Sequence, residues 1–231
     1  MIVSIIIPVF NEKNNIEKII KDINEKINYN KQIIVVDDHS NDGTREILNS
    51  KLFSQVDKII YHEKNLGKGA AIKSSIPYIE GEIVAIQDAD LEYDPSDLNL
   101  LIEKIISGKT KIAYGSRVLN KQRYNNVGFT SNFRVLGNHL LTLVSNIINK
   151  QKLTDAHTCY KVFDCNIFKK LELKENGFSF CPEVNTKISK LNETILEVPI
   201  NYNGRSVLEG KKIKLSDAFS ALYTIIKYRF F

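Results

Sequence analysis

Two carboxylates one residue apart, Asp88 and Asp90, with a further acid at Glu92, stand where the apolar run Ile83-Val84-Ala85-Ile86 stops. Aspartate is depleted inside strands, so the run ends near Asp88 and the acids follow on a turn. In an open α/β sheet the carboxyl ends of strands face the ligand crevice. Hard oxygen donors placed there suit Mg2+ or Mn2+. Such an ion takes one or two protein carboxylates and fills its other positions from phosphate and water. The alternative is a plain acidic turn ahead of a helix starting near Asp94-Pro95-Ser96.

The elements that would position these acids follow from hydrophobic spacing. Residues 2–9 form an apolar run with β-branched residues, as expected of a buried parallel strand, and Pro8 with Asn11-Glu12 ends it. Asn14 or Asn15 then caps a helix whose apolar positions Ile16, Ile19, Ile20, Ile23 and Ile27 keep the helical period. Residues 32–36 make a second strand closed by the polar turn Asp37-Asp38-His39-Ser40-Asn41-Asp42-Gly43-Thr44 and a short helix. Asp42-Gly43-Thr44 reads as turn and cap chemistry. A third strand covers 56–62, and Asn65-Leu66-Gly67-Lys68-Gly69 leads into a helix ending near Ile79. The fourth strand carries the acids. This alternation predicts an α/β fold with a parallel sheet covered on both faces by helices. Three strand ends then meet in one crevice: 8–12, 37–38 and 88–92. Gly67-Lys68-Gly69 lacks P-loop spacing and the first strand lacks GxGxxG, which sets aside those two nucleotide-binding classes.

The bulk properties agree with one domain. The chain has 231 residues, 43% hydrophobic and 26% charged, enough for a core of its own. A net charge of +5 does not indicate nucleic acid, but favours anionic substrates or an anionic membrane face. Cys159, Cys165 and Cys181 are odd in number and lack metal spacing, so they read as reduced and intracellular. The first residues read as a strand and not a signal peptide. No apolar run approaches the ~20 residues that span a bilayer. At the other end, Ser216-Asp217 starts a helix with Phe219, Leu222, Tyr223, Ile226 and Phe230 on its apolar face. That helix suits a membrane interface, a dimer contact or docking on the protein's own core.

The motifs Pro8-Val9-Phe10-Asn11-Glu12, Val35-Val36-Asp37-Asp38 and Asp88-Ala89-Asp90 resemble those of family 2 glycosyltransferases of GT-A fold. Gly115-Ser116-Arg117, Thr154-Asp155-Ala156-His157-Thr158-Cys159-Tyr160-Lys161, Glu197-Val198-Pro199-Ile200 and the basic stretch from Gly204-Arg205-Ser206 to Lys211-Lys212 narrow the resemblance. They are similar to those of the dolichyl- or polyprenyl-phosphate mannose and glucose synthases. The likeness runs from Ile2 to about Lys214. It implies a single Rossmann-like domain over 1–214 with a mixed, mostly parallel sheet, and an amphipathic helix over 215–231.

The resemblance also implies roles. Pro8, Phe10, Glu12, Val36 and Asp38 hold the nucleotide, with Asp88, Ala89, Asp90, Arg117, Arg205 and Lys211 completing the nucleotide-sugar site. Asp37 is as well suited to bracing the turn. Asp88, Asp90 and Glu92 form the metal group for Mg2+ or Mn2+. Arg117, Arg134, Arg205 and Lys212 face the acceptor phosphate, Arg134 by its surroundings alone. Asp88, Asp90, Arg117, Asp155 and Arg205 are the implied catalytic set. Asp155 would orient sugar hydroxyls or Arg205, or act as general base were the acceptor a hydroxyl. Glu183 suits a helix start or a sugar contact, and His157 a structural role. Residues 205–214 are expected to be a loop closing over the diphosphate.

The implied activity is inverting transfer of a hexose from a GDP- or UDP-sugar to polyprenyl phosphate. The enzyme would be peripheral on the cytoplasmic membrane face and would need no nucleic acid. Transfer to a sugar hydroxyl, and nucleotide-sugar binding without turnover, are the alternatives. A nucleotidyltransferase would show a Gly-rich, basic first loop, which Pro8-Val9-Phe10-Asn11-Glu12 is not.

Overall fold

A computed structural model describes residues 1–50, 52–119, 129–204 and 215–231, the side chains of 129–135 and 215–217 excepted. Strand β1 (Val3–Val9) lies centrally, paired in parallel with β2 (Lys31–Asp37) on one side and β4 (Ile83–Ile86) on the other. With β3 (Lys58–Tyr61), β5 (Ile112–Ser116), β6 (Lys161–Asp164) and β7 (Leu196–Pro199), the described residues form one sheet ordered β3-β2-β1-β4-β6-β5-β7. Chain order reverses beside β1, which creates a crevice at the carboxyl ends of β1, β2 and β4. The sheet is not wholly parallel. β6 runs antiparallel to both β4 and β5. Its starting end therefore lies at the same rim as the finishing ends of its neighbours, and it delivers residues 154–160 to the crevice.

Side chains alternate across the sheet, as strand geometry requires. Ile5, Ile7, Ile33 and Val35 pack on one face with α1 (Ile16–Lys26) and α4 (Asp97–Ile106). Ile6, Ile34, Val36 and Ile86 pack on the other with α3 (Lys68–Ser75), α6 (Cys165–Lys170) and α7 (Phe180–Lys190). The five isoleucines expected on the first helix are all buried. Each contributes about 1.5–3 kcal/mol by leaving water.

Pro8 is tolerated in a central strand for a local reason. β4 pairs with β1 only as far as Ile6, so the missing N–H of Pro8 deprives no neighbour on that side. Gly115 in β5 permits close packing, because a Cβ there would lie 2.7 Å from Ile200 Cδ1 and 3.0 Å from Tyr160 Cβ.

Helix boundaries depart from the sequence reading by a turn or less. α1 starts after Asn15, whose side chain does not cap it and instead donates to Glu12 Oε2 at 2.7 Å. The helix expected to reach Ile79 stops at Ser75 and continues as a 3-10 turn, Ile76–Tyr78, around Pro77. The remaining helices are α2 (Thr44–Ser50), α5 (Phe129–Asn149) and α8 (Leu215–Phe230). α8 packs on α5 and α7. Among the described residues, no helix is long and apolar enough to cross a membrane.

Candidate active site

The loops after β1 and β2 are fastened to each other. Asp38 N donates to Val9 O at 2.8 Å, and Asn11 N to Ser40 Oγ at 2.8 Å. Glu12 N donates to Thr44 Oγ1 at 3.1 Å, and Lys13 N to Asp42 Oδ2 at 3.0 Å. Asp42 Oδ1 accepts from both Thr44 N and Thr44 Oγ1, the turn-and-cap role expected of it. Burial acts to raise the Asp42 carboxyl, but these bonds outweigh it and hold it below the ordinary range. Phe10 and Pro8 remain half-buried at this rim and Glu12 is buried beneath it, while Val36 lies wholly in the core.

The two aspartates of the second turn divide the work. Asp37 braces the turn, accepting from Ser40 N at 3.1 Å and Arg45 Nε at 2.5 Å. Asp38 is only 3% exposed and was expected on the nucleobase. Its Oδ1 accepts from Leu66 N at 2.8 Å and lies 2.7 Å from His62 Nδ1; its Oδ2 accepts from Gly67 N at 2.7 Å. Its carboxylate thus shapes the 65–67 loop, where Gly67 takes φ +94°, and sets Lys68 as the first residue of α3.

Lys68 is the residue that sequence reasoning missed. Its Nζ donates to Asp88 Oδ1 at 2.5 Å and lies 3.1 Å from Cys159 Sγ. Burial works against the lysine's charge, but Asp88 outweighs it and raises the pKa well above the ordinary value. The signal was present as a lysine between two glycines after β3, at a strand end that faces the same rim. Its departure from P-loop spacing hid it.

Asp90 Oδ1 accepts from Glu92 N at 3.1 Å across Leu91, which takes φ +60°. Ala89 between the aspartates is buried. Glu92 was expected as a third metal ligand. It is 8% exposed, and its Oε2 accepts from Tyr202 OH at 2.8 Å. Among the described residues, no three acidic, histidine or cysteine side chains gather as a metal cluster. The donor set that fits a divalent ion is therefore the Asp88 and Asp90 carboxylates, with Asp88 already holding a cationic group. One or two protein carboxylates suffice for Mg2+ or Mn2+ when a diphosphate supplies further oxygens.

Arg117 and Asp155 form the second half of the site. Asp155 Oδ2 accepts from Arg117 Nε at 2.6 Å and from Arg117 N at 3.1 Å, and its Oδ1 from Arg117 Nη2 at 2.7 Å. Asn138 Nδ2 donates to Asp155 Oδ1 at 3.1 Å. Burial disfavours the guanidinium charge, but Asp155 outweighs it and raises the arginine's pKa well above normal. Glu197 holds the carrier loop through Thr154 N at 2.7 Å and Asp155 N at 2.9 Å. The Arg117 guanidinium also lies 5.0 Å from the Tyr202 ring centre, and Tyr202 in turn packs on Tyr93. Tyr202 thereby links the Arg117 clamp to Glu92.

Glu183 is fully buried in the first turn of α7 and accepts from Lys174 N at 2.7 Å and Glu175 N at 2.8 Å, which makes it a loop brace. The His157 Nε2 atom is buried with no hydrogen-bond partner among the described residues. Arg205, Lys211 and Lys212, together with the closing loop expected over 205–214, lie outside the described residues, as does the side chain of Arg134.

Residues 4–172 match Glycosyl transferase family 2. A dolichol-phosphate mannosyltransferase of Pyrococcus furiosus is 30% identical over 92% of this chain, which spans 61% of that protein. A dolichyl-phosphate beta-glucosyltransferase of Trichomonas vaginalis is 26% identical over 99% of this chain and 73% of its own length. A UDP-N-acetylglucosamine--dolichyl-phosphate N-acetylglucosaminyltransferase of Methanococcus voltae is 28% identical over 97% of this chain and 95% of its own. In three dimensions, glucosyl-3-phosphoglycerate synthase from Mycobacterium tuberculosis, in complex with Mg2+ and UDP, superposes with a TM-score of 0.72 at 16% identity. It covers 98% of this chain and 79% of its own. The acid turn, the fastened strand-end loops and the matched span together place this chain in glycosyl transferase family 2, on the GT-A fold.

Proposed function

We propose that this glycosyltransferase moves a hexose from a UDP- or GDP-sugar onto a polyprenyl phosphate in one inverting displacement. The observation that carries the reading is the state of Asp155. A hydroxyl acceptor needs a base, and the acid in this part of the fold would supply it. Here that acid is fully buried and doubly bonded to Arg117. Arg117 and Asn138 together occupy both of its oxygens, so neither is placed to receive a proton from an incoming hydroxyl. A phosphate acceptor carries its own oxyanion and needs no base. The named activities of the three relatives, all of which act on dolichyl phosphate, support the same acceptor class.

In this reading one phosphate oxygen of the lipid forms the new bond to the anomeric carbon. The bond from that carbon to the nucleoside diphosphate breaks, and its electron pair leaves on the diphosphate. Asp88 and Asp90 would hold a divalent ion, which supplies charge neutralisation for that leaving group. Lys68, beside Asp88, adds a fixed positive charge to the same end of the donor. Pro8, Phe10 and Glu12 border the nucleoside. Arg117, Arg134, Arg205, Lys211 and Lys212 are assigned to the phosphates of donor and acceptor. Nucleotide sugars and the lipid acceptor would meet at the cytoplasmic membrane face, with peripheral contact through α8.

The test is a panel of UDP- and GDP-hexoses with Mg2+ or Mn2+ and a short polyprenyl phosphate. Lipid-linked sugar from one donor, dependent on the ion, is the expected result. Transfer to a soluble sugar hydroxyl with no lipid-linked product from any donor would overturn the acceptor.

A further inference from the structure

A cleft of about 440 Å3 opens between the ends of α6, α7 and α8, and none of its walls belongs to the site above. Lys170, Lys174, Lys187, Lys190 and Lys227 line it, with Tyr228 forming part of the wall. Lys187 Nζ is 2.7 Å from Glu183, and Lys227 Nζ 2.8 Å from Glu175. Lys190 Nζ donates to Tyr228 O at 3.1 Å. The one acidic side chain among the lining residues is Glu172. Among the described residues, the lining lysines outnumber Glu172 and the two carboxylates that pair with Lys187 and Lys227, and the cleft keeps a positive excess. Lys170 and Lys174 are exposed and have no ion-pair partner among the described residues.

Beside the cleft lies an apolar surface with an unusual pattern. α5 buries the polar Thr142, Ser145 and Asn149 and exposes Leu136, Leu140, Leu143 and Ile147, each by more than half. α8, packed next to it, is apolar on two sides. Ala221 and Ile225 are buried, while Phe219, Tyr223, Ile226 and Phe230 are exposed on the opposite side. Both exposed stripes repeat at intervals of four, three and four residues, so each forms one continuous face. An apolar stripe flanked by lysines is the pattern of an element lying in a lipid interface. A second copy docked on this face would bring its own lysine excess against the first.

We infer that the lysine cleft between α6, α7 and α8 seats the phosphate headgroup of an anionic membrane lipid, while the α5 and α8 stripes lie on the bilayer. This gives the membrane contact of the proposed function a defined address, and rests on that reading. None of the lining residues is among those assigned to the acceptor phosphate.

Flotation of the full chain with vesicles tests it. Phosphatidylcholine vesicles doped with phosphatidylglycerol should bind at least tenfold tighter than phosphatidylcholine alone. The K170E/K174E variant should lose that preference, and K170Q/K174Q should lose part of it, with UDP and GDP binding unchanged in both. Wild type and K170E/K174E binding the doped vesicles equally overturns the inference. So does saturable binding of inorganic phosphate with no preference among vesicles, which makes the cleft a free-phosphate site. So does a stable dimer that no longer binds vesicles. Lysine-dependent vesicle binding without lipid-linked transfer supports the headgroup site and overturns the acceptor alone.

Discussion

Lys68 and Asp88 are each 15% exposed, so their charges face each other with little water between them. Removing the lysine leaves Asp88 uncompensated beside the place proposed for a diphosphate. Lys68→Ala should weaken UDP or GDP binding at least tenfold by calorimetry, and Lys68→Arg should recover part of it, since a charge-assisted bond to phosphate is among the stronger polar contacts. His157 yields a prediction of a different kind. Burial, and then the nearby Lys161 cation, lower its pKa to about 4. The unfolded chain therefore binds a proton that the folded chain refuses between about pH 6.5 and 4. This contribution is fully present above pH 6.5 and is lost as pH falls towards 4, by about 3 kcal/mol. Urea unfolding of the wild type should show that acid slope, and His157→Asn should flatten it.

At the scale of elements, the Gly67 turn decides where Lys68 points. A Cβ at Gly67 would lie 2.6 Å from Asn176 O, and the residue sits at φ +94°. Gly67→Ala should cost about 1–3 kcal/mol of stability and weaken nucleotide binding with it. Thermal unfolding and calorimetry on one preparation check both. Much at this scale was legible in the sequence. The first helix showed its isoleucine stripe, and the first four strands lie within two residues of their expected bounds, because apolar period and turn residues report local structure directly. Other features were not legible. Lys161-Val162-Phe163-Asp164 carries no mark of strand direction, which is set by long-range pairing, so the reversal of β6 was invisible. Asp38 and Glu92 were recognisable as acids of the right motif. Their bonds to Gly67 N and Tyr202 OH come from residues 29 and 110 positions away.

Across the whole molecule, the donor half and the apolar face are built from different parts of the chain. β1 to β4 and their loops carry the residues proposed to hold the nucleotide, and α5 with α8 carries the exposed stripes. Leu140 and Phe219 are 60% and 72% exposed, so changing both to Ser should leave the unfolding free energy within about 0.5 kcal/mol per site. The same change should reduce detergent uptake and vesicle binding, measured by sedimentation with and without detergent or vesicles.

The reversed strand β6 has a further consequence for how such a molecule changes over generations. The segment holding α5 departs from the end of β5 and rejoins at the start of β6, and both points sit on one rim. An excursion whose exit and entrance are neighbours can grow, shrink or be exchanged while the hydrogen-bonded ladder beneath it stays intact. A lineage can thus vary the surface that this excursion presents while the strands beneath it keep their pairing.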